Sequence, residues 1–202
     1  MAEKLDLHRK HKAEYVAPKS PALVEVKPAK YLAIDGKGAP GGEDFQAKIA
    51  ALYSMAFTIK MARKFAGRDY KVCGLESLYW AGRKGQDPAA TPLDQWRWKL
   101  LIRVPGFIDE TDLAKAAEAL AAKGKPPAFK QVRIETLEEG PCVQVLHVGP
   151  YSDEGKTVAR MMEFARAEGL TPRGRHHEIY LSDPRRVPPE RLRTLLRQPV
   201  RR

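Results

Sequence analysis

The chain is short of cysteine, of long apolar runs and of acid, and each shortage excludes something. Only two cysteines, Cys73 and Cys142, occur in 202 residues, far apart and without CxxC spacing. Neither a disulfide framework nor a zinc knuckle can be built from them, and a reducing compartment is expected. No apolar run approaches the ~20 residues of a membrane-spanning helix, and the charged start from Met1 to Lys12 lacks the apolar centre of a secretory signal. A cytoplasmic protein with no membrane partner is therefore expected. Acids number 25 against 36 Lys and Arg, for a net charge of +11. Much of that surplus lies in His8 to Lys12 and in Arg185, Arg186, Arg191, Arg193, Arg197, Arg201 and Arg202. No helix-turn-helix, zinc-finger or RNA-recognition signature accompanies it, so solvated tails are expected rather than a nucleic-acid partner. Nothing in the pattern specifies an oligomeric state.

What is present suits a folded domain: 43% of the residues are hydrophobic and 30% charged. Residues 1–20, ending in Ala17-Pro18-Lys19-Ser20, read as a flexible basic arm, and 21–202 as the domain. Strand-like runs at 23–26 and 31–35 precede a Gly/Pro loop over 36–42. Phe45, Ile49, Leu52, Ala56 and Ile59 then form an amphipathic helical stripe that Gly67 ends. Strands over 70–80 and 95–104 flank a turn-rich loop over 82–92, and Thr111 caps a helix starting at Asp112.

The second half offers strands over 129–137 and 142–148, then a loop at 149–151. A helix follows, capped by Ser152, with Val158, Met161, Met162 and Ala165 inward, and Gly169 closes it. A strand over 175–182 comes next, then a short helix from Pro188 carrying Leu192, Leu195 and Leu196. Two pseudo-repeats, about 21–125 and 126–202, predict an α+β fold of duplicated strand–helix–strand–strand modules. A curved antiparallel sheet, helices on one face and a central ligand cleft complete the expectation.

Candidate chemistry lies in the strands after each helix, Leu75-Glu76-Ser77-Leu78-Tyr79-Trp80 and His176-His177-Glu178-Ile179-Tyr180-Leu181. Side chains alternate along a strand, so Glu178 and Tyr180 share one face while Ile179 and Leu181 take the face expected against the helices. Glu76, Leu78 and Trp80 likewise share a face. If the halves pack about a pseudo-twofold axis, Glu76 and Glu178 converge on one hollow with Trp80 and Tyr180. A carboxylate beside ring faces attracts a cation, and a partly desolvated one suits acid–base work. Trp96 and Trp98 wall that hollow or join the core; His147 and Tyr151, around Gly149-Pro150, orient a ligand or are structural. Adjacent His176 and His177 point opposite ways and cannot share an ion. Neither a metal nor a cofactor is expected: no HExxH, phosphate-binding loop or GxSxG elbow occurs.

The run His176 to Pro184, with Pro189-Glu190 and Thr194 to Val200, resembles the C-terminal signature of the GyrI-like (gyrase-inhibitor-like) small-molecule-binding family. Leu146-His147-Val148-Gly149-Pro150-Tyr151 is similar to that family's motif before its second helix. Leu75 to Trp80 is similar to its Leu-Glu-Gly-Leu-Trp-Trp motif, with Ser77 and Tyr79 in place of Gly and Trp. The resemblance covers roughly 20–202 and implies two modules around a ligand cleft, with Glu178 as the buried acid for cationic or lipophilic ligands. It also points to stand-alone members that hydrolyse the strained ring of cyclopropanoid DNA alkylators. On that analogy Glu76 and Glu178 are catalytic, and Tyr79, Trp80, Trp98 and Tyr180 hold the flat drug. The expected function is detoxifying hydrolysis of such xenobiotics. The alternatives are a non-catalytic drug-sequestering or sensor protein, or a gyrase-interacting inhibitor.

Overall fold

The computed structural model describes residues 4–81 and 91–202, so most of the loop expected over 82–92 lies outside the described residues. In chain order the elements are α1 (Leu7–Lys10), β1 (Ala22–Val26), β2 (Ala29–Lys37), α2 (Glu43–Phe65), β3 (Glu76–Trp80), β4 (Arg97–Arg103), α3 (Glu110–Ala122), β5 (Arg133–Leu137), β6 (Gly140–Val148), α4 (Glu154–Ala167), β7 (Thr171–Pro172), β8 (His176–Tyr180) and β9 (Arg193–Arg201). They form two compact units, one of Met1–Lys10 with Ala29–Leu137 and one of His11–Pro28 with Glu138–Arg202.

In the first unit an antiparallel sheet runs β3-β4-β2-β5. Phe45, Leu52, Met55, Ala56 and Ile59 of α2 pack with Leu32, Ile34, Leu100 and Ile102. Burying each large apolar side chain contributes roughly 1.5–3 kcal/mol, so this stripe holds the helix down. The cap of α3 is Asp109 rather than the expected Thr111. Its carboxylate accepts from the Thr111 and Asp112 amides while Asp112 reaches back to the Asp109 amide.

The second unit repeats the order as β8-β9-β6-β1, with β7 paired to the end of β9. Val143, Val145, Leu196 and Val200 pack with Met161 and Ala165 of α4. The two modules, β2-α2-β3-β4 and β6-α4-β8-β9, bear out the duplicated α+β design. Their boundaries differ from the expected split at 125/126. β1 directly precedes β2 yet pairs with β6, and β5 precedes β6 yet pairs with β2. Each leading strand is thus given to the other module.

Two further expectations fail for physical reasons. The C-terminal helix is a strand, β9, buried along Thr194–Val200 on both faces. A strand apolar on both sides shows no alternation, so Leu192, Leu195 and Leu196 mimic helical spacing. Nor is 1–20 a loose arm over its described part. Leu7 is buried, and the Leu5 backbone exchanges hydrogen bonds with Asp69 and Lys71 in the first unit. In the second unit Arg197 Nη2 donates to Glu14 O at 2.7 Å, and Gln144 Nε2 donates to Val16 O at 3.1 Å. The same guanidinium, 1% exposed, donates from Nη1 to Glu139 Oε2 at 2.7 Å, and His177 Nδ1 lies 2.9 Å from Glu139 Oε1. Burial pushes the Glu139 carboxyl up, but His177 and Arg197 outweigh it and bring it down to about 2. The buried cation is compensated.

Candidate active site

Cross-strand pairing fixes what each face carries. Glu178 lies opposite Leu196, and Tyr180 opposite Thr194, which in turn lies opposite His147. Leu196 belongs to the core under α4, so Glu178, Tyr180, Thr194 and His147 face that helix. The sequence placed Ile179 there instead. Ile179 and His177 turn to the opposite face, with His177 opposite Arg197. The inner strands are covered on both sides, so an apolar residue did not mark the helix side.

At the amino end of α4 these residues meet. Gly149, at φ +139, opens the turn, and its following Pro150 leads through Tyr151–Asp153 into the helix. His147 is held there: Nδ1 lies 2.9 Å from Thr157 Oγ1, and Nε2 lies 3.2 Å from Pro150 O. A carbonyl only accepts, so in the neutral ring Nε2 carries the proton and Nδ1 receives the Thr157 hydroxyl. The Tyr180 hydroxyl donates to Glu178 Oε2 at 2.8 Å, and its ring meets Tyr151 edge-on at 5.8 Å. Tyr151 is 41% exposed and forms the rim.

Glu154, the first inward residue of α4, is buried and acts electrostatically on Glu178. Burial pushes Glu178 well above the usual carboxylate range, and Glu154 adds to the rise against a pull down from Tyr180. Glu154 is raised chiefly by burial, against the neighbouring Thr194 hydroxyl and His147. His176 Nε2 stands 3.7 Å from Glu178 Oε1. Burial and then His177 depress it to about 4, so that ring is neutral at pH 7. In this cluster, Glu154 Oε1, Thr194 Oγ1 and His176 Nδ1 are among the described side-chain atoms buried without a hydrogen-bond partner. Such atoms cost about 1–3 kcal/mol each and invite a ligand or water. The inner end of the cluster is closed, Glu154 being 7% and Thr194 0% exposed, whereas Glu178, Tyr180 and His176 are half-buried. A shallow groove lined by Leu23, Val24, Glu25, Pro141, Leu170, Arg201 and Arg202 shares none of these residues.

Reading the sequence missed Glu154, Thr157 and Thr194. The signal for Glu154 was available: the inward stripe Met161 and Val158, continued back one turn, reaches a glutamate. The cap of α4 is Asp153 rather than the expected Ser152, and Asp153 makes no side-chain capping hydrogen bond.

In the first unit the residues are arranged differently. Tyr79 and Trp98, expected around a ligand, are core residues beneath α2. Trp98 is fully buried, 4.8 Å edge-on from Phe45, with Lys48 Nζ 5.4 Å from its ring. Tyr79 meets Trp96 at 5.8 Å. Glu76, fully buried, faces away from α2 beside Leu101, with Leu78 and half-buried Trp80 along the same face. Its charge acts on half-buried His8 and on buried Cys73, whose thiol burial and then Glu76 push up to about 12. Pairing makes Ser77 and Tyr79 the counterparts of Glu178 and Tyr180. Glu76 is therefore the counterpart of His177, not of Glu178.

Two strand–helix–strand–strand modules with a buried acidic and aromatic cluster describe an α+β small-molecule-binding domain. The chain belongs to the family of GyrI-like small molecule binding domains, whose profile matches residues 19–201. It is similar to an uncharacterized conserved protein from Listeria innocua at 39% identity and TM-score 0.89, covering 98% of this chain and 100% of that one. It is also similar to two Listeria innocua proteins described as hydrolases, at 36% and 37% identity with TM-scores 0.87 and 0.88, again covering 98% of this chain and 100% of each. The C-terminal domain of EcmrR, 13% identical at TM-score 0.59 over 91% of this chain and 98% of that one, shares the fold. No curated protein matches. No helix among the described residues is long and apolar enough to cross a membrane.

Proposed function

We infer that the chain binds lipophilic or cationic aromatic small molecules at the amino end of α4 and hydrolyses strained electrophilic xenobiotics of the cyclopropanoid type. One observation carries this reading: half-buried Glu178 accepts from the Tyr180 hydroxyl near buried Glu154, where three buried polar atoms, of Glu154, His176 and Thr194, have no hydrogen-bond partner. The description of two relatives as hydrolases supports the reaction class.

A pair holding one proton supplies an acid and a base at the same place. The protonated carboxyl gives its proton to the carbonyl oxygen conjugated with the cyclopropane. The ionised one takes a proton from water as its oxygen attacks a ring carbon. One C–C bond breaks, one C–O bond forms, and water is added overall with the pair restored. Tyr151 and Tyr180 offer ring faces to a flat ligand. A ligand would enter past the exposed Tyr151 ring towards the half-buried Glu178 and Tyr180.

The test is to incubate the protein with excess cyclopropanoid alkylator and follow ring opening by absorbance. Turnover is expected, with Glu178→Gln losing at least about 10²-fold. Saturable binding without turnover would reduce the protein to a drug-binding one.

A further inference from the structure

We propose that the outer face of α2 is a self-complementary interface through which two copies of this chain pair antiparallel as a homodimer. None of its residues belongs to the candidate ligand site. Residues 49–59 of this helix carry no charge, although a solvated helix ordinarily charges its outer face. Phe57 is 53%, Met61 40% and Phe65 81% exposed, and the Tyr53 and Phe57 rings stack at 6.1 Å along the same side. The cations flanking the stripe are already engaged: Lys48 pairs with Asp44 at 3.0 Å, Lys60 with Asp69 at 3.1 Å and Arg63 with Asp112 at 2.6 Å. The stripe is no requirement of the module, since the matching helix α4 exposes Lys156, Arg160, Glu163 and Arg166. Exposed aromatic and Met side chains with no charge among them are the composition of an interface core.

The order of residues along the face selects a second copy as the occupant. At about 100° per residue, the line from Glu43 through Ala50, Tyr53 and Phe57 to Lys64 stays on one side of the helix. Run antiparallel about a twofold axis between Tyr53 and Ser54, that line matches itself. Phe57 of one copy falls opposite Ala50 of the other, and Tyr53 opposite Ser54, so large side chains meet small ones. At both ends Glu43 falls opposite Lys64. Both are exposed, and neither makes an ion pair within the chain among the described residues. A parallel pairing would instead set Glu43 against Glu43, Lys64 against Lys64 and Phe57 against Phe57. The twofold repeats every favourable contact, as an isologous interface requires.

The experiment is sedimentation velocity of the full chain from about 1 to 100 μM, the span in which an interface of one helix face should dissociate. A reversible dimer is expected. Phe57→Glu, at an exposed position, should weaken it at least about 100-fold while leaving the far-ultraviolet circular dichroism spectrum unchanged. Lys64→Glu alone should weaken it about tenfold, and Glu43→Lys together with Lys64→Glu should restore it, because the swap remakes both end pairs. A chain that stays monomeric at the highest concentration, association beyond two copies, or a dimer indifferent to Phe57→Glu would overturn the proposal. A double swap that fails to recover what Lys64→Glu loses would overturn the antiparallel register.

Discussion

At the amino end of each long helix the two modules make opposite use of the same place. In the first, Gly36 of β2 lies opposite Trp98 of β4, and any Cβ at Gly36 would sit 1.9 Å from the indole ring. The indole fills the space, donates from Nε1 to Gly38 O at 3.1 Å and packs on Phe45. In the second, the matching positions are His147 and Thr194, and the first buried helix residue is Glu154 where α2 has Phe45. One backbone therefore carries a plugged module and a polar one. The lesson is that duplication of the fold does not duplicate the site: a single tryptophan or threonine on the third strand of the module decides which it is.

The largest expected effect comes from moving the plug. Thr194→Trp should cut ligand binding and turnover more than about 100-fold, the indole taking the ligand's place between Glu178 and His147. A variant that folds by circular dichroism yet binds normally would break the comparison. Next, Trp98→Ala should cost about 3–5 kcal/mol of unfolding free energy in denaturant titration, because it empties a fully buried position. Its effect on ligand affinity, once folded, should be small. A large one would mean that the first module is not merely structural.

A third measurement sharpens the contrast through pH. Glu139 has its folded value depressed to about 2, so its pairing with His177 and Arg197 stabilises above the ordinary carboxylate range. That stabilisation is lost as pH falls from about 4.5 towards 2. Glu139→Gln should flatten the acid limb of a melting-temperature profile and lower stability at pH 7. The smallest effect is expected for Tyr180→Phe. Without the hydroxyl that lowers Glu178, the pH–rate profile should move to higher pH and turnover should fall about 3- to 10-fold, the worth of one hydrogen bond of roughly 0.5–1.5 kcal/mol.

How far the sequence could be read depended on how each residue is covered. The stripe of α2 was legible because one side meets a core and the other meets solvent. So was the shared face of Glu178 and Tyr180, a matter of strand alternation alone. Which way that face points was not legible: in β9 both sides are buried, Thr194, Arg197 and Gln198 lying inside beside Leu195 and Leu196, and in β8 the half-buried polar face is the one turned to the helix. Glu76 and Glu178 look alike in the two motifs because each precedes an aromatic. Only pairing register, set by residues far along the chain, shows them on faces of opposite kind. Glu154 was passed over because a glutamate in a first helical turn reads as a complement to the helix dipole.

The exchange of leading strands has a consequence for how the polypeptide is made. Val24 waits for Cys142 and Val26 for Gly140 before either finds its neighbour, so β1 stays unpaired until more than a hundred further residues have been made. Until then its edge is exposed to any other extended chain nearby. A polypeptide cut after Ala122 would lack both β5 and the partner of β1, and would be expected to aggregate rather than survive as half a protein.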